Sequence, residues 1–137
     1  MTPQELFDDT AAHLRRQARP SIVGDQCRYR GPDGTRCAAG HHIADTVYDV
    51  GMEGLGVDSH TVRRGLGHLS PTEIGLLGDL QRVHDAAALP DGVPSAPSAR
   101  RMYEAMGDER DFMGRVELGL REVARWRTLA YQPPGAP

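Results

Sequence analysis

The sequence predicts a mainly helical α+β domain, with four or five helices packed against one small antiparallel β-hairpin. Two stretches, at residues 2–5 and 70–73, place Ser or Thr, then Pro, then Glu in the order that caps the start of a helix. Apolar residues spaced three or four apart follow both stretches, as in amphipathic helices. The third observation is Gly-Pro-Asp-Gly at residues 31–34, a turn sequence typical of hairpin connections.

Length and composition indicate one cytoplasmic domain. The chain has 137 residues, which predicts a single compact domain over residues 1–131 and a flexible tail over residues 132–137. No apolar run is long enough to span a bilayer, and the acidic start MTPQELFDD lacks the pattern of a secretory signal, so we expect no contact with a membrane. The net charge is −3, which disfavours nucleic acid as a partner.

The first helix is predicted over residues 3–19. Thr2 caps it, and Glu5 lies three residues later, as a capping box requires. Pro20 then discourages further helix. The apolar stripe of this helix comprises Leu6, Phe7, Ala11, Leu14 and Ala18, with Thr10 at its edge.

The second element is a hairpin with a loop formed by Pro32, Asp33 and Gly34. This loop places Tyr29 opposite Cys37 in the paired strands. Because strand side chains alternate between two faces, the residues of the hairpin divide into two sets. One face carries Cys27, Tyr29, Cys37 and Ala39, and the other carries Arg28, Arg30, Arg36 and Ala38.

The remaining chain is predicted to be helical with loops between the helices. A short helix over residues 43–50 would align His41, Asp45 and Asp49, as a metal-binding or proton-sharing face or as a solvated one. A Gly-rich loop follows, with one or two helical turns after Asp58 or Ser59. Longer helices are expected over residues 71–88, 96–106 and 108–131, with a Pro-rich connector over residues 89–95.

The candidate metal ligands are Cys27, Cys37, His41 and His84. Structural zinc sites use four Cys, His or carboxylate ligands, and the predicted hairpin puts both thiols on one face with His41 or His42 nearby. The alternative is that both thiols pack in the core. A disulfide is disfavoured, because diagonal neighbours in a hairpin lie farther apart than most disulfides span.

His84 and Asp85 are adjacent on the predicted helix over residues 71–88 and point in different directions. We expect one of them to be a buried, hydrogen-bonded side chain that fixes this helix to the hairpin. A thiol enzyme would instead pair a cysteine with a histidine that Asp85 or Asp45 orients. An inward-facing thiol on a strand is a poor nucleophile, which disfavours that interpretation.

Five arginines are the candidate partner-binding residues. All sixteen basic side chains of the chain are Arg, whose planar guanidinium suits carboxylate and phosphate recognition. Such a surface would bind an acidic protein or a nucleic-acid phosphate, whereas the plain alternative is a set of solvated arginines among acidic neighbours. The five residues are Arg28, Arg30 and Arg36 on the hairpin, joined by Arg63 and Arg64.

Three landmarks together resemble a known family. They are Cys27-x-Tyr29-Arg30-Gly-Pro-Asp-Gly-x-x-Cys37-Ala-x-Gly40, then Ile43-x-Asp45-x-x-Tyr48 with Met52-Glu53-Gly54, and finally Leu80-Gln81-x-x-His84-Asp85. The chain is similar here to a family of small uncharacterised proteins encoded by bacteria and their tailed phages. The resemblance runs from the first helix through His84 and implies no activity. The family tends to carry Cys where His41 stands, and this exchange keeps the capacity to bind zinc.

These observations lead to the hypothesis of a non-catalytic binding protein of phage or mobile-element type. It would act on a host or defence protein through the arginine-bearing hairpin face and the Gly-rich loop, with no cofactor. The alternative is a zinc-binding or thiol/metal-dependent enzyme centred on the four candidate ligands. A third interpretation, a DNA-binding regulator that uses Arg63 and Arg64, conflicts with the overall acidity.

Overall fold

The computed structural model describes residues 1–94 and 96–135. This part of the chain contains five α-helices and one two-stranded antiparallel sheet, so the predicted mainly helical α+β class with a small hairpin is confirmed. The helices are α1 (Pro3–Gln17), α2 (His60–Arg64), α3 (Pro71–Ala88), α4 (Pro97–Met106) and α5 (Phe112–Arg127). The strands are β1 (Ile22–Val23) and β2 (Gln26–Cys27), and short 3-10 turns cover Pro32–Gly34, Gly40–His42 and Val50–Met52.

The two predicted capping sequences start helices as expected. The Thr2 side chain accepts a hydrogen bond from the Glu5 backbone N–H at 3.1 Å. At the start of α3, Ser70 Oγ accepts from the Glu73 N–H at 3.2 Å, while the Glu73 carboxylate accepts from the Ser70 N–H at 2.8 Å. These bonds satisfy backbone donors that a helix start leaves without partners.

The core lies around α3, which packs against α1, α4 and α5. Its buried apolar side chains include Leu76, Leu80 and Val83. Gly119 on α5 allows the closest helix approach, because a Cβ atom there would lie 2.8 Å from Val83 Cγ1 and 3.0 Å from Met102 Sδ. None of the helices described here is both long and apolar enough to cross a membrane.

The last helix is shorter than predicted at both ends. Asp111 caps its start by accepting a hydrogen bond from the Gly114 N–H at 2.9 Å. Thr128 ends it in a left-handed conformation with φ of 55°. In the predicted tail, the carbonyl of Gln132 accepts from Arg15 at 2.8 Å, and the rest of the tail beyond residue 135 lies outside the described residues, as does residue 95 of the connector.

The hairpin forms earlier in the chain than predicted, with its turn at Gly24 and not at Pro32–Gly34. Ile22 pairs with Cys27 and Val23 with Gln26, around a turn that contains Gly24 at φ of 62°. The Pro32–Gly34 segment is a 3-10 turn and does not connect paired strands.

Side chains from distant segments take the hydrogen bonds that the predicted ladder would have used. The backbone N–H groups of Tyr29 and Arg30 donate to Glu53, at 2.8 and 3.1 Å. The Arg36 N–H donates to Gln17 at 2.9 Å, and the Ala39 N–H donates to a glutamine of α3 at 2.8 Å. One backbone bond does cross the turn, from the Gly31 N–H to the Thr35 carbonyl at 2.8 Å, but with the next donors satisfied elsewhere the two segments do not continue as a ladder.

The predicted helix over residues 43–50 is also wrong. The carbonyl of Ala44 accepts from the N–H groups of Val47 and Tyr48 to form one tight turn, and the 3-10 turn Val50–Met52 follows. His41, Asp45 and Asp49 therefore do not share a helix face. The expected helical turns after Ser59 are present as α2.

Candidate functional site

Arg28, Arg30 and Arg36 lie close together, but two carboxylates hold them. Arg30 and Arg36 both donate to Asp45 Oδ1, at 2.9 Å in the case of Arg36, and the three arginine side chains are only partly exposed. The hydrogen bond from Arg30, together with the charge of Arg36, lowers the pKa of Asp45. Arg28 lies 3.8 Å from the Glu53 carboxylate. The prediction that these arginines share one face of a paired hairpin is wrong, because the segments that carry Arg30 and Arg36 are not strands, and each of the three arginines lies beside a carboxylate of the chain.

Glu53 is the acceptor that organises this network. Its carboxylate binds the two backbone N–H groups of residues 29 and 30, and Tyr48 donates its hydroxyl to it at 2.7 Å. The Arg30 guanidinium also stacks 4.8 Å above the Tyr48 ring. The Glu53 side chain is only 10% exposed, so its bonds are shielded from competing water.

Arg63 and Arg64 occupy a different surface. They end the short helix α2, both are exposed, and neither forms an ion pair with any residue of 1–94 or 96–135. A groove of about 270 Å³ lies beside Arg64, with Val47, Met52 and the carboxylate-bearing Asp49 also in its lining. Val47 is 45% exposed, and Val50, three residues later in the chain, is 69% exposed. We call these residues, Val47, Val50, Arg63 and Arg64, the valine–arginine surface.

The two cysteines line a separate cavity of about 360 Å³. Cys37 is buried in the core, and Cys27 is half-buried on β2. Gln81 and Asp85 from α3 form the opposite wall. The structure thus brings Cys27, one of the predicted metal ligands, next to α3. Both cysteines are free thiols, with no disulfide between them.

Of His84 and Asp85, it is His84 that is buried and fixes α3 to the hairpin, as was expected of one of the two. It is fully buried, and its Nε2 accepts a hydrogen bond from the Ser21 backbone N–H at 3.0 Å, directly before β1. The ring proton therefore resides on Nδ1, which donates to Asp85 Oδ1 at 2.9 Å. Gln81 donates to the same carboxylate oxygen at 2.7 Å. Both nitrogens of His84 are engaged, so neither is free to accept a proton from a thiol.

The chemistry of the cavity is that of protonated thiols. Burial raises the pKa of Cys27 far above its usual range, and the negative charge of Asp85 raises it further. Burial also raises the pKa of Cys37, to about 12. A thiol nucleophile reacts as the thiolate, so these pKa values disfavour thiol catalysis.

Three of the four predicted metal ligands are divided between two clusters. Ligand atoms of Cys27, His84 and Asp85 lie within 4.8 Å of one another. His41 belongs instead to a group with Asp9 and His42, whose ligand atoms also lie within 4.8 Å of one another. Cys37 belongs to neither group, and the proposed set of four does not form one site.

The second cluster sits where α1 meets the Gly40–His42 turn. Asp9 Oδ2 lies 3.0 Å from His41 Nε2 and 3.9 Å from His42 Nδ1. The ring of His13 stacks on that of His41, with centroids 4.3 Å apart and an angle of 8° between the planes. Burial, followed by the charge of His41, lowers the pKa of His42 to about 4, and burial lowers the pKa of His13 as well.

Gly40 permits this arrangement. A Cβ atom at Gly40 would lie 2.1 Å from the Tyr29 carbonyl oxygen, so a larger residue cannot occupy the position without displacing the backbone. This close approach sets the turn that carries His41 and His42 against α1.

Sequence reasoning missed Asp9, His13 and His42 as a group. Asp9 and His13 are four residues apart, which places them on one face of α1, and this spacing was the signal available. The partner segment is a 3-10 turn some thirty residues away, and no local pattern indicates that it packs on that face.

Comparison of the chain with models of protein families, with curated proteins and with solved structures found no match. The likeness to the family of bacterial and phage proteins stays a prediction.

Proposed function

We propose that this protein is a small cytoplasmic, non-catalytic binding protein of phage or mobile-element type. It acts by occupying an acidic surface on a host or defence protein. The observation that carries this proposal is the pair Arg63 and Arg64, exposed at the end of α2 without an ion-pair partner among the described residues. Arg64 lies beside a groove that the exposed Val47 also lines.

The valine–arginine surface has the composition of an interaction surface. Arginine is enriched at the residues that dominate binding energy, since its guanidinium forms paired hydrogen bonds with carboxylates. Exposed Val47 and Val50 add apolar area that a partner would bury. An acidic partner segment with apolar side chains complements both features.

The hairpin arginines contribute to this proposal in a different way than the sequence indicated. Three guanidinium groups share the two carboxylates of Asp45 and Glu53, which leaves one positive charge in excess over these five groups. Such an excess steers an acidic partner and raises its association rate. We assign the direct contacts to Arg63 and Arg64, and a supporting field to Arg28, Arg30 and Arg36.

The non-catalytic part of the proposal rests on the cavity chemistry. The thiols of Cys27 and Cys37 hold their protons, and His84 has both ring nitrogens engaged. His84 is therefore not available as the imidazole base that would activate a thiol in this cavity.

The test is a double charge reversal, Arg63→Glu with Arg64→Glu. Proteins crosslinked to the full chain in cells are identified by mass spectrometry, and the affinity of the purified partner is then measured for wild type and variants. We expect the double variant to bind at least about tenfold more weakly, since each 1.4 kcal/mol corresponds to a factor of ten.

The matched control is Arg16→Glu with Arg100→Glu, which makes the same charge change at two exposed arginines elsewhere. This control is expected to bind like wild type, with circular dichroism confirming that both variants are folded. Equal loss in the two double variants would mean that net charge alone drives binding, and unchanged binding in both would contradict the proposal.

A second candidate function is a metal-dependent protein with its centre in the cysteine cavity. The observation that favours it is the approach of Cys27, His84 and Asp85 ligand atoms to within 4.8 Å. A zinc ion there would require an ionised Cys27 thiol and would displace the proton between His84 and Asp85. Under this alternative, bound zinc is lost in a Cys27→Ser variant.

A further inference from the structure

In the cluster of Asp9, His41 and His42, the hydrogen bonds leave two acceptor atoms close together, Nδ1 of His42 and Oδ2 of Asp9. The Thr10 hydroxyl donates to the Leu6 carbonyl at 2.7 Å. Its oxygen therefore accepts from His42 Nε2, which lies 2.7 Å away. With its proton on Nε2, the His42 ring presents the lone pair of Nδ1.

A carboxylate oxygen lies near this Nδ1 atom. His42 Nδ1 lies 3.9 Å from Asp9 Oδ2, which is too far for a hydrogen bond between them. Two acceptors at this distance repel each other, and a cation between them would relieve the repulsion. Thr10 acts as the outer partner that fixes which nitrogen of His42 faces inward, as carboxylates and carbonyls do for histidine ligands of metals.

His41 supplies the third ligand atom. Its Nε2 lies 3.0 Å from the same oxygen of Asp9. Zinc bonds to nitrogen and oxygen of about 2.0–2.2 Å place neighbouring tetrahedral ligands about 3.4 Å apart. The two distances to Asp9, 3.0 and 3.9 Å, lie on either side of this separation, so shifts of about half an ångström bring these two pairs into range, and all three ligand atoms lie within 4.8 Å of one another.

The cluster is held in place and is open on one side. His13 stacks on His41, and its own Nε2 donates to the Arg36 carbonyl at 2.9 Å, which fixes the plane of the stack. His42 is nearly buried, whereas the Asp9 side chain is 44% exposed. Water can therefore complete the coordination from the exposed side.

We infer that Asp9, His41 and His42 form a binding site for a divalent transition-metal ion of the zinc type. The ligand atoms are a carboxylate oxygen of Asp9, Nε2 of His41 and Nδ1 of His42. Imidazole and carboxylate ligands suit zinc, cobalt(II) and nickel(II) better than magnesium or calcium. On binding, the proton that His41 Nε2 donates to Asp9 moves to Nδ1 of the same ring, so that the Nε2 lone pair can bind the metal. The site does not depend on the valine–arginine surface.

The test is a zinc titration of the full chain, without an affinity tag, at neutral pH. Bound metal is first removed with a chelator, the chelator is removed in turn, and the heat of zinc binding is then measured by calorimetry. We expect wild type to bind one zinc per chain at this site. Asp9→Asn and His41→Gln change partly exposed side chains and are expected to weaken zinc binding by at least about tenfold. His60→Gln, on the exposed start of α2, is the control and is expected to bind like wild type.

Nuclear magnetic resonance of the imidazole nitrogens provides a second readout that does not depend on variants. Zinc is expected to shift Nδ1 of His42 and Nε2 of His41 and to leave the hydrogen-bonded Nε2 of His42 little changed. Equal zinc affinity in wild type and Asp9→Asn would overturn this site. So would loss of zinc in Cys27→Ser without loss in Asp9→Asn, which assigns the ion to the cysteine cavity.

Discussion

At the scale of single residues, His42 shows how burial changes the chemistry of a side chain. Its imidazole is nearly buried beside Thr10, and His41, His13 and His68 add positive charge that disfavours protonation, while Asp9 opposes them. The folded protein thus binds a proton at His42 only near pH 4, whereas the unfolded imidazole binds one near pH 6.5. Between these values the unfolded state holds more protons, so stability falls as the pH falls.

We therefore expect the free energy of unfolding to decrease by about 3 kcal/mol from this residue alone as the pH falls from 6.5 to 4. Urea unfolding at a series of pH values, with a chelator present, measures the decrease. In a His42→Gln variant this contribution disappears, and the smaller decrease from other groups, including His13, remains. The same pH dependence in both proteins would show that His42 is not the group responsible.

At the scale of elements, the two carboxylates of the arginine network have different roles: Glu53 accepts backbone hydrogen bonds, and Asp45 forms exposed ion pairs. Glu53 is 10% exposed and accepts from two backbone N–H groups and a tyrosine hydroxyl, so it replaces strand pairing for the segment after β2. Asp45 is 75% exposed and binds arginine side chains in contact with water. Buried acceptors of backbone bonds stabilise more than exposed ion pairs do.

We expect Glu53→Gln to lower the free energy of unfolding by about 1–3 kcal/mol, because the amide keeps one acceptor oxygen and leaves a buried N–H without a partner. The matched substitution Asp45→Asn removes the same charge from the same network. It is expected to cost clearly less than Glu53→Gln, because the Asp45 carboxylate is exposed to water. Chemical denaturation of both variants measures the difference, and equal costs would contradict the roles given to the two carboxylates.

At the scale of the whole molecule, contacts between the two ends of the chain join the helices into one unit. Arg15 on α1 binds Glu117 on α5 through two hydrogen bonds of 2.8 and 2.9 Å. The Gln4 side chain donates to the Ala130 carbonyl and accepts from the Ala130 N–H. Since α1 also packs on α3, residues from both ends share the same core.

We expect the chain to unfold in a single cooperative transition. Helix content, followed by circular dichroism, and the fluorescence of the single tryptophan, Trp126 on α5, are expected to give the same denaturation midpoint. Trp126 reports on the α4–α5 contact, because Arg101 stacks over its ring at 4.4 Å. Two separate midpoints would mean that the segments around the sheet fold independently of the C-terminal helices.

The sequence was sufficient for the helices and for part of the site. Capping boxes at Thr2 and Ser70 and regular apolar spacing are local signals, and the helices formed close to where they indicated. The hairpin was misplaced, because acceptors from Glu53, Gln17 and Gln81 bind backbone donors of the predicted strands. The helix predicted over residues 43–50 is replaced by tight turns. No local pattern reveals such long-range hydrogen bonds.

The sequence by itself determined the fold class and the reactive side chains that are present. These are two cysteines, six histidines and sixteen arginines, with no lysine. Tertiary structure alone decided how these groups combine. It tied the hairpin arginines to Asp45 and Glu53, left Arg63 and Arg64 exposed, and separated His41 from the cysteines by packing the Gly40–His42 turn on α1. The physical reason is that helix formation follows from neighbours in the chain, whereas the partner of a charge or a ligand is whichever group the folded core brings within a few ångströms.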